Sequence, residues 1–267
     1  MPDKVCAYCG SAGVLTREHL WPASLHKRLL EANESEGSLF WLRRTKSEIQ
    51  GEPKIRDVCQ ACNNGYLSQL DQYICTLFDR YFVKILCRRE AIEFEYDYHL
   101  LKRWLLKMCF NSARVNNSMD LFAYHPLLSY IRGDSLHVGR GAQLFLQLSY
   151  PGEIPRERLA NPALCDAPAM WEPRENRVGF MHFVVPGVGK KVIRAVHLRS
   201  YSFFLAFYDL SATRSVALDF SAVFLSKMHG TAVLSPSRSV THLICDGADA
   251  WKSSENARDN EFTWSGS

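Results

Sequence analysis

The chain has 267 residues, of which 47% are hydrophobic and 22% charged, and a net charge of +4. That composition supports real apolar cores in one large or two modest domains and excludes a disordered chain. No run approaches the ~18 consecutive apolar residues of a membrane span, so the composition gives no membrane partner.

The charge is balanced through residue 80, with ten Lys+Arg against ten Asp+Glu; the remainder carries 22 against 18. This mild excess allows a nucleic-acid partner without requiring one. The start, Met1-Pro2-Asp3-Lys4, lacks the apolar run of a signal peptide. The expectation is a reducing, cytoplasmic setting, in which nine cysteines need a reason other than disulfides.

In chain order, Cys6-Ala7-Tyr8-Cys9-Gly10 reads as a metal knuckle, with Gly10 allowing the left-handed backbone of its turn. A short hairpin is expected around it. Val14-Leu15-Thr16 is β-prone and leads into Glu18-His19; Pro22 stops regular structure, so both side chains sit at a strand end. Ser24–Glu31 has helical spacing, and residues 31–38 read as a loop. Phe40-Trp41-Leu42-Arg43-Arg44-Thr45-Lys46 mixes aromatics with cations. It reads either as an amphipathic strand or as a surface for bases and phosphates, with Arg43 and Arg44 as contacts.

Cys59-Gln60-Ala61-Cys62 is a second knuckle that runs through Asn63, Asn64 and Gly65 into a helix. Leu67, Leu70, Ile74, Leu77, Phe78 and Tyr81 carry it toward Leu86. Residues 92–97 alternate as a strand. Tyr98–Asn111 is amphipathic, with Leu101, Trp104, Leu105, Met108 and Cys109 as its stripe. Lys102, Arg103 and Lys107 stay off that stripe, so Arg103 and Lys107 are expected on a solvated face or a phosphate-contacting rail. A helix interrupted at Pro126 follows over 121–131. Strands are expected at 136–138, 143–149, 178–185, 191–198, 202–208 and 221–225, with Pro186–Lys190 as a hairpin loop and 151–176 as a long connection.

Two CxxC pairs place four thiolates for a closed structural Zn²⁺ site. The other five cysteines (Cys75, Cys87, Cys109, Cys165 and Cys245) read as free thiols. No G-x-S-x-G or Walker spacing is present.

The order Cys6-x-x-Cys9, Glu18-His19-x-x-Pro22, Cys59-x-x-Cys62-Asn63 resembles the HNH (ββα-metal) endonucleases, in their variant with a four-cysteine zinc. The likeness covers about residues 4–80. It implies an α+β protein with a zinc-stapled ββα-metal, treble-clef-like core, followed by a helical and antiparallel-sheet region. It also implies that His19 is the general base, that Glu18 and Asn63 ligate a catalytic Mg²⁺ or Mn²⁺, and that Arg17 lies near a phosphate of DNA. The family's middle Asn, which orients the histidine through its backbone, has only Asn33 as a candidate within residues 31–56.

The resulting expectation is a metal-dependent DNA endonuclease, in phage defence or a mobile element. Residues 1–85 form the nuclease domain, 86–251 an α+β accessory domain, and 252–267 a polar tail. The accessory domain would meet DNA, a regulatory protein or a second copy. The competing expectation is a non-catalytic, zinc-stapled nucleic-acid-binding or scaffold module in which Glu18 and His19 are structural.

Overall fold

The structure, a computed structural model, describes residues 5–35, 39–42, 44–136, 142–159, 167–185, 189–208 and 213–255. It is a mixed α+β fold.

The first strand, β1 (Leu15–His19), ends before Pro22, which opens helix α1 (Ala23–Ala32). Helix α1 buries Leu25 and Leu29, one turn apart. A hairpin follows, β2 (Leu39–Leu42) with β3 (Ser47–Gln50). Strand β4 (Lys54–Cys59) then returns to pair antiparallel with β1, Leu15 opposite Cys59 and His19 opposite Lys54. Among the described residues the expected local hairpin near the first knuckle is a single bridge, Val5 to Ala12, and the partner of β1 comes from beyond the insert.

From β4 the chain turns directly into helix: α2 (Gln60–Cys62), a π-turn over Asn63–Leu67, α3 (Ser68–Leu77) and a second π-turn over Phe78–Phe82. Gly65 takes non-helical angles and kinks the run. Strand, strand and helix are therefore consecutive in space, although 34 residues separate the two strands.

Strand β5 (Ala91–Glu95) leads to α4 (Tyr98–Asn116), capped by the Asp97 carboxylate on Leu100 N–H and ended by Asn117 in the left-handed region. A 3₁₀ segment (Met119–Leu127) containing Pro126 and helix α5 (Leu128–Arg132) follow.

The large sheet uses β6 (Ala142–Tyr150), β9 (Asn176–Val185), β10 (Gly189–Leu198), β11 (Tyr201–Phe207) and β12 (Thr231–Leu234) in the order β12-β6-β11-β10-β9. Every pairing along that path is antiparallel. The connection after β6 holds the short pair β7 (Gly152–Glu153) and β8 (Met170–Trp171). Strand β13 (Val240–Ile244) pairs with β5, and β14 (Ala248–Asp249) lies parallel to β6. The expected strand over 221–225 is instead inside helix α6 (Arg214–Lys227), because Phe220 and Phe224, four residues apart, pack together on one face of the sheet. Residues 250–255 are helical, with Ser254 buried.

Alternation sorts the sheet's side chains. Leu144, Leu146, Leu148, Phe203 and Leu205 join the core that contains α4, while Phe145, Ala195, Phe204 and Ala206 join α6. The α4 core runs without a break from Cys6 to Cys245 and crosses the 85/86 division drawn from the sequence. Among the described residues no helix is long and apolar enough to cross a membrane.

Candidate functional site

The four cysteines Cys6, Cys9, Cys59 and Cys62 converge. Their sulfurs all lie within 4.8 Å of one another, and Cys9 Sγ is 3.7 Å from Cys59 Sγ. A tetrahedral Zn²⁺ with Zn–S near 2.3 Å sets sulfurs about 3.8 Å apart. The cluster is therefore compatible with zinc. The first knuckle closes through Gly10 N–H to Cys6 O at 2.8 Å, with Gly10 at φ +72°, and it is tied to β4 by Ala7 N–H to Asp57 O at 2.8 Å. Of the other cysteines, Cys75, Cys109 and Cys245 are buried free thiols and Cys87 is exposed; Cys165 lies outside the described residues.

Strand alternation separates Glu18 from its neighbours. Arg17 is exposed and His19 half-buried on the outer side, while Glu18 points inward and is 4% exposed. His19 Nδ1 lies 2.5 Å from Glu52 Oε2, and the other oxygen of that carboxylate accepts Trp21 N–H at 2.6 Å. Glu52 is buried, and desolvation raises its pKa although His19 acts to lower it. A carboxylate on Nδ1 selects the tautomer with its hydrogen there, leaving Nε2 as proton acceptor. With the His19 side chain 31% exposed, this is the geometry of an oriented, reachable base. His26 lies near enough that His19 adds to the desolvation lowering its pKa.

Glu52 did not emerge from sequence reasoning. Its only local signal is an acidic residue next to Pro53 at the start of the strand that pairs with β1. Asn33, the candidate for the middle Asn, lies elsewhere: it accepts from Arg199 Nη1 at 3.0 Å and donates to Arg174 O at 3.3 Å.

Glu18 faces α4. Its Oε1 is 2.9 Å from Lys107 Nζ and accepts Asn111 Nδ2 at 3.2 Å. Lys107, 1% exposed, also holds Asp71 at 2.7 Å. Burial would lower the pKa of this ammonium, but Asp71 and Glu18 outweigh it and raise it. Asn63 donates to Thr16 Oγ1 at 2.9 Å and to Arg17 O at 3.2 Å, pinning the helix start to β1. Glu18 and His19 thus share the end of β1 and Asn63 is bonded to that strand from the helix start, but the three side chains hold different partners. The Glu18–Asn63 pair does not offer a shared cation site, because Glu18 Oε1 is turned inward onto Lys107 and Asn111 while the Asn63 amide is held on Thr16 and the Arg17 carbonyl.

The cationic candidates also divide. Arg103 and Lys107 do not form a phosphate rail. Arg103 donates to Tyr66 Oη at 2.9 Å and Ser135 O at 3.0 Å and packs on Tyr130, and Lys107 is spent on its two carboxylates. Arg17 and Arg44 are exposed; Arg43 lies outside the described residues. No protein-family model, curated protein or solved structure matches the chain.

Proposed function

We propose that the chain is a nuclease of the HNH kind, in which a four-cysteine zinc holds a strand end and His19 is the general base acting on DNA phosphodiesters. The observation that carries this reading is the His19–Glu52 pair at 2.5 Å on β1. The pair lies at the end of β1 away from Cys59, and the partner of that strand runs directly into helix.

The zinc, with all four positions filled by thiolates, stabilises the fold and takes no part in the chemistry. Glu52 holds Nδ1–H, so Nε2 takes a proton from water as the water oxygen attacks phosphorus. The buried carboxylate stabilises the imidazolium that forms. The bond to the leaving 3′-oxygen, opposite the attacking water, breaks; that oxygen takes a proton from solvent, and the imidazolium returns its own to bulk water. In this reading Arg17, exposed two residues earlier on the strand, meets the phosphate. Glu18 and Asn63 have no part in this scheme as ion ligands.

A second reading has its own support. Glu18 and Asn63 are both engaged in internal hydrogen bonds, as in a zinc-stapled scaffold. Plasmid and oligonucleotide cleavage with and without Mg²⁺ or Mn²⁺, beside His19→Ala, separates the two. Cleavage lost in the variant with zinc content unchanged supports the nuclease. Cleavage by neither protein, or equally by both, supports the scaffold.

A further inference from the structure

Strand alternation and one irregularity give the β1–β4 ribbon a cationic outer face. Arg17 stands opposite Arg56, and His19 opposite Lys54. Arg17, Lys54 and Arg56 are exposed. The register slips by one residue between Thr16 and Arg17. Continued from Thr16 opposite Val58, it would set Arg17 against Asp57, an opposite charge. The bulge sets it against Arg56 instead, and bulges beside working sites re-aim side chains in this way. Like charges directly opposite on two strands are destabilising, so the ribbon gains nothing in stability from this choice.

The carboxylates of the region are committed elsewhere. Glu18 is turned inward onto Lys107, Asp57 pairs with Arg114, and Glu52 holds His19 Nδ1 and Trp21 N–H. Among the described residues, no ion pair or hydrogen bond reaches the side chain of Arg17, Lys54 or Arg56. Other surface cations are answered: Arg28 by Asp79, Arg80 by Glu95 and Lys84 by Glu90. The outer face of the ribbon is thus a row of cations without anions, with His19 at its end.

Lys54 is the member nearest the base. Cβ atoms directly opposite across an antiparallel pair are about 4.5–5.5 Å apart, and the four-carbon stem of a lysine spans that gap. Burial, with His19 and Lys54 adding to it, lowers the pKa of His26. Burial raises that of Glu52, against the pull of His19 and Lys54. The Lys54 ammonium therefore lies within electrostatic range of the groups around the His19 ring.

We propose that Lys54 and Arg56 complete, with Arg17, a phosphate-binding face for DNA, in which Lys54 meets the phosphate under attack beside His19. Charge develops on the phosphate oxygens as water attacks, and a cation held there stabilises it. The role of Lys54 in the reaction rests on the nuclease reading; the binding face rests on charge and register alone.

The test reads binding and cleavage separately, on the full chain. Binding is measured with His19→Ala and a short fluorescein-labelled duplex across a salt series. Adding Lys54→Gln and Arg56→Gln to that protein is expected to reduce the salt slope by about two, one for each cation removed. An unchanged slope, or no binding by His19→Ala at low salt, overturns the proposal. Cleavage is measured with His19 in place. Lys54→Gln is expected to lower kcat about 10²–10³-fold, with KM changed less and with zinc content and Tm as in wild type. Lys54→Arg, which keeps the charge, is expected to recover most of that loss. Undiminished cleavage by Lys54→Gln overturns the placement of Lys54 at the reacting phosphate. A slope that falls while wild type cuts no DNA keeps the binding face and removes the nuclease reading. Wild-type cleavage with slope and kcat both indifferent to Lys54 and Arg56 does the reverse.

Discussion

Lys107 and Glu18 form a buried ion pair at 2.9 Å, and the same ammonium holds Asp71. Removing the cation strands two carboxylates in the core. Lys107→Ala is expected to lose about 3–5 kcal/mol of unfolding free energy in denaturant titrations. Glu18→Gln keeps an oxygen for Asn111 and is expected to lose less, about 1–3 kcal/mol. Its cleavage per folded molecule should stay close to wild type. Loss of cleavage with full stability would instead mark Glu18 as an ion ligand.

Glu52→Gln retains an oxygen for Trp21 N–H but turns an amide donor toward His19 Nδ1. The ring then carries its hydrogen on Nε2, the wrong nitrogen for a base. Cleavage is expected to fall about 10²–10³-fold with zinc content unchanged. Wild-type kinetics in this variant would remove Glu52 from the chemistry.

A single Cys→Ser substitution at Cys6, Cys9, Cys59 or Cys62 is expected to release the zinc, as read by metal analysis. It should lower Tm by about 10 °C or more, because metal binding and local folding are one process. Cys87→Ser, at an exposed free thiol, serves as the control and should do neither.

Lys102 gives a pH signature. It is buried on α4, donates to Ala142 O and Tyr98 Oη, and desolvation pushes its pKa down to about 7. An unfolded lysine keeps its proton to about pH 10.4. Between these values the unfolded chain binds more protons, so this group makes stability rise with pH. Its destabilisation is fully present below pH 7 and disappears toward pH 10. From pH 7 to pH 9, wild type is expected to gain about 2 kcal/mol relative to Lys102→Met. Parallel stability curves for the two proteins would contradict the shift.

The arginines should separate by readout. Arg17→Ala, at an exposed residue, is expected to weaken DNA binding across sequences and reduce the salt slope by about one. Arg103→Ala is expected to lower Tm and leave that slope unchanged, because its guanidinium is committed to Tyr66 and Ser135.

The cysteine pairs and the strand-end His19 were legible because each follows from short-range features: ligand spacing, a β-prone run and a stopping proline. Glu52 was not, since its contact with His19 depends on β4 returning to β1 across the insert. Arg103 and Lys107 misled for a related reason. Periodicity reads a charge off the apolar stripe as solvated, but their partners, Tyr66, Asp71 and Glu18, arrive from other elements. At 221–225 a β-prone stretch hid a helix that Thr213 caps and that Phe220 and Phe224 bury.

Helix α4 is covered at fourteen of its nineteen positions, and two polar groups among them, Asn111 and Lys107, reach back to the first knuckle and to β1. The motif-bearing segment is therefore not a portable cassette. Excised at residue 85, it would expose Trp21, which packs against Trp104 of α4, and leave Glu18 without a counter-ion. Transplanted into another protein, it would need this helix or a substitute carrying the same lysine and asparagine one turn apart.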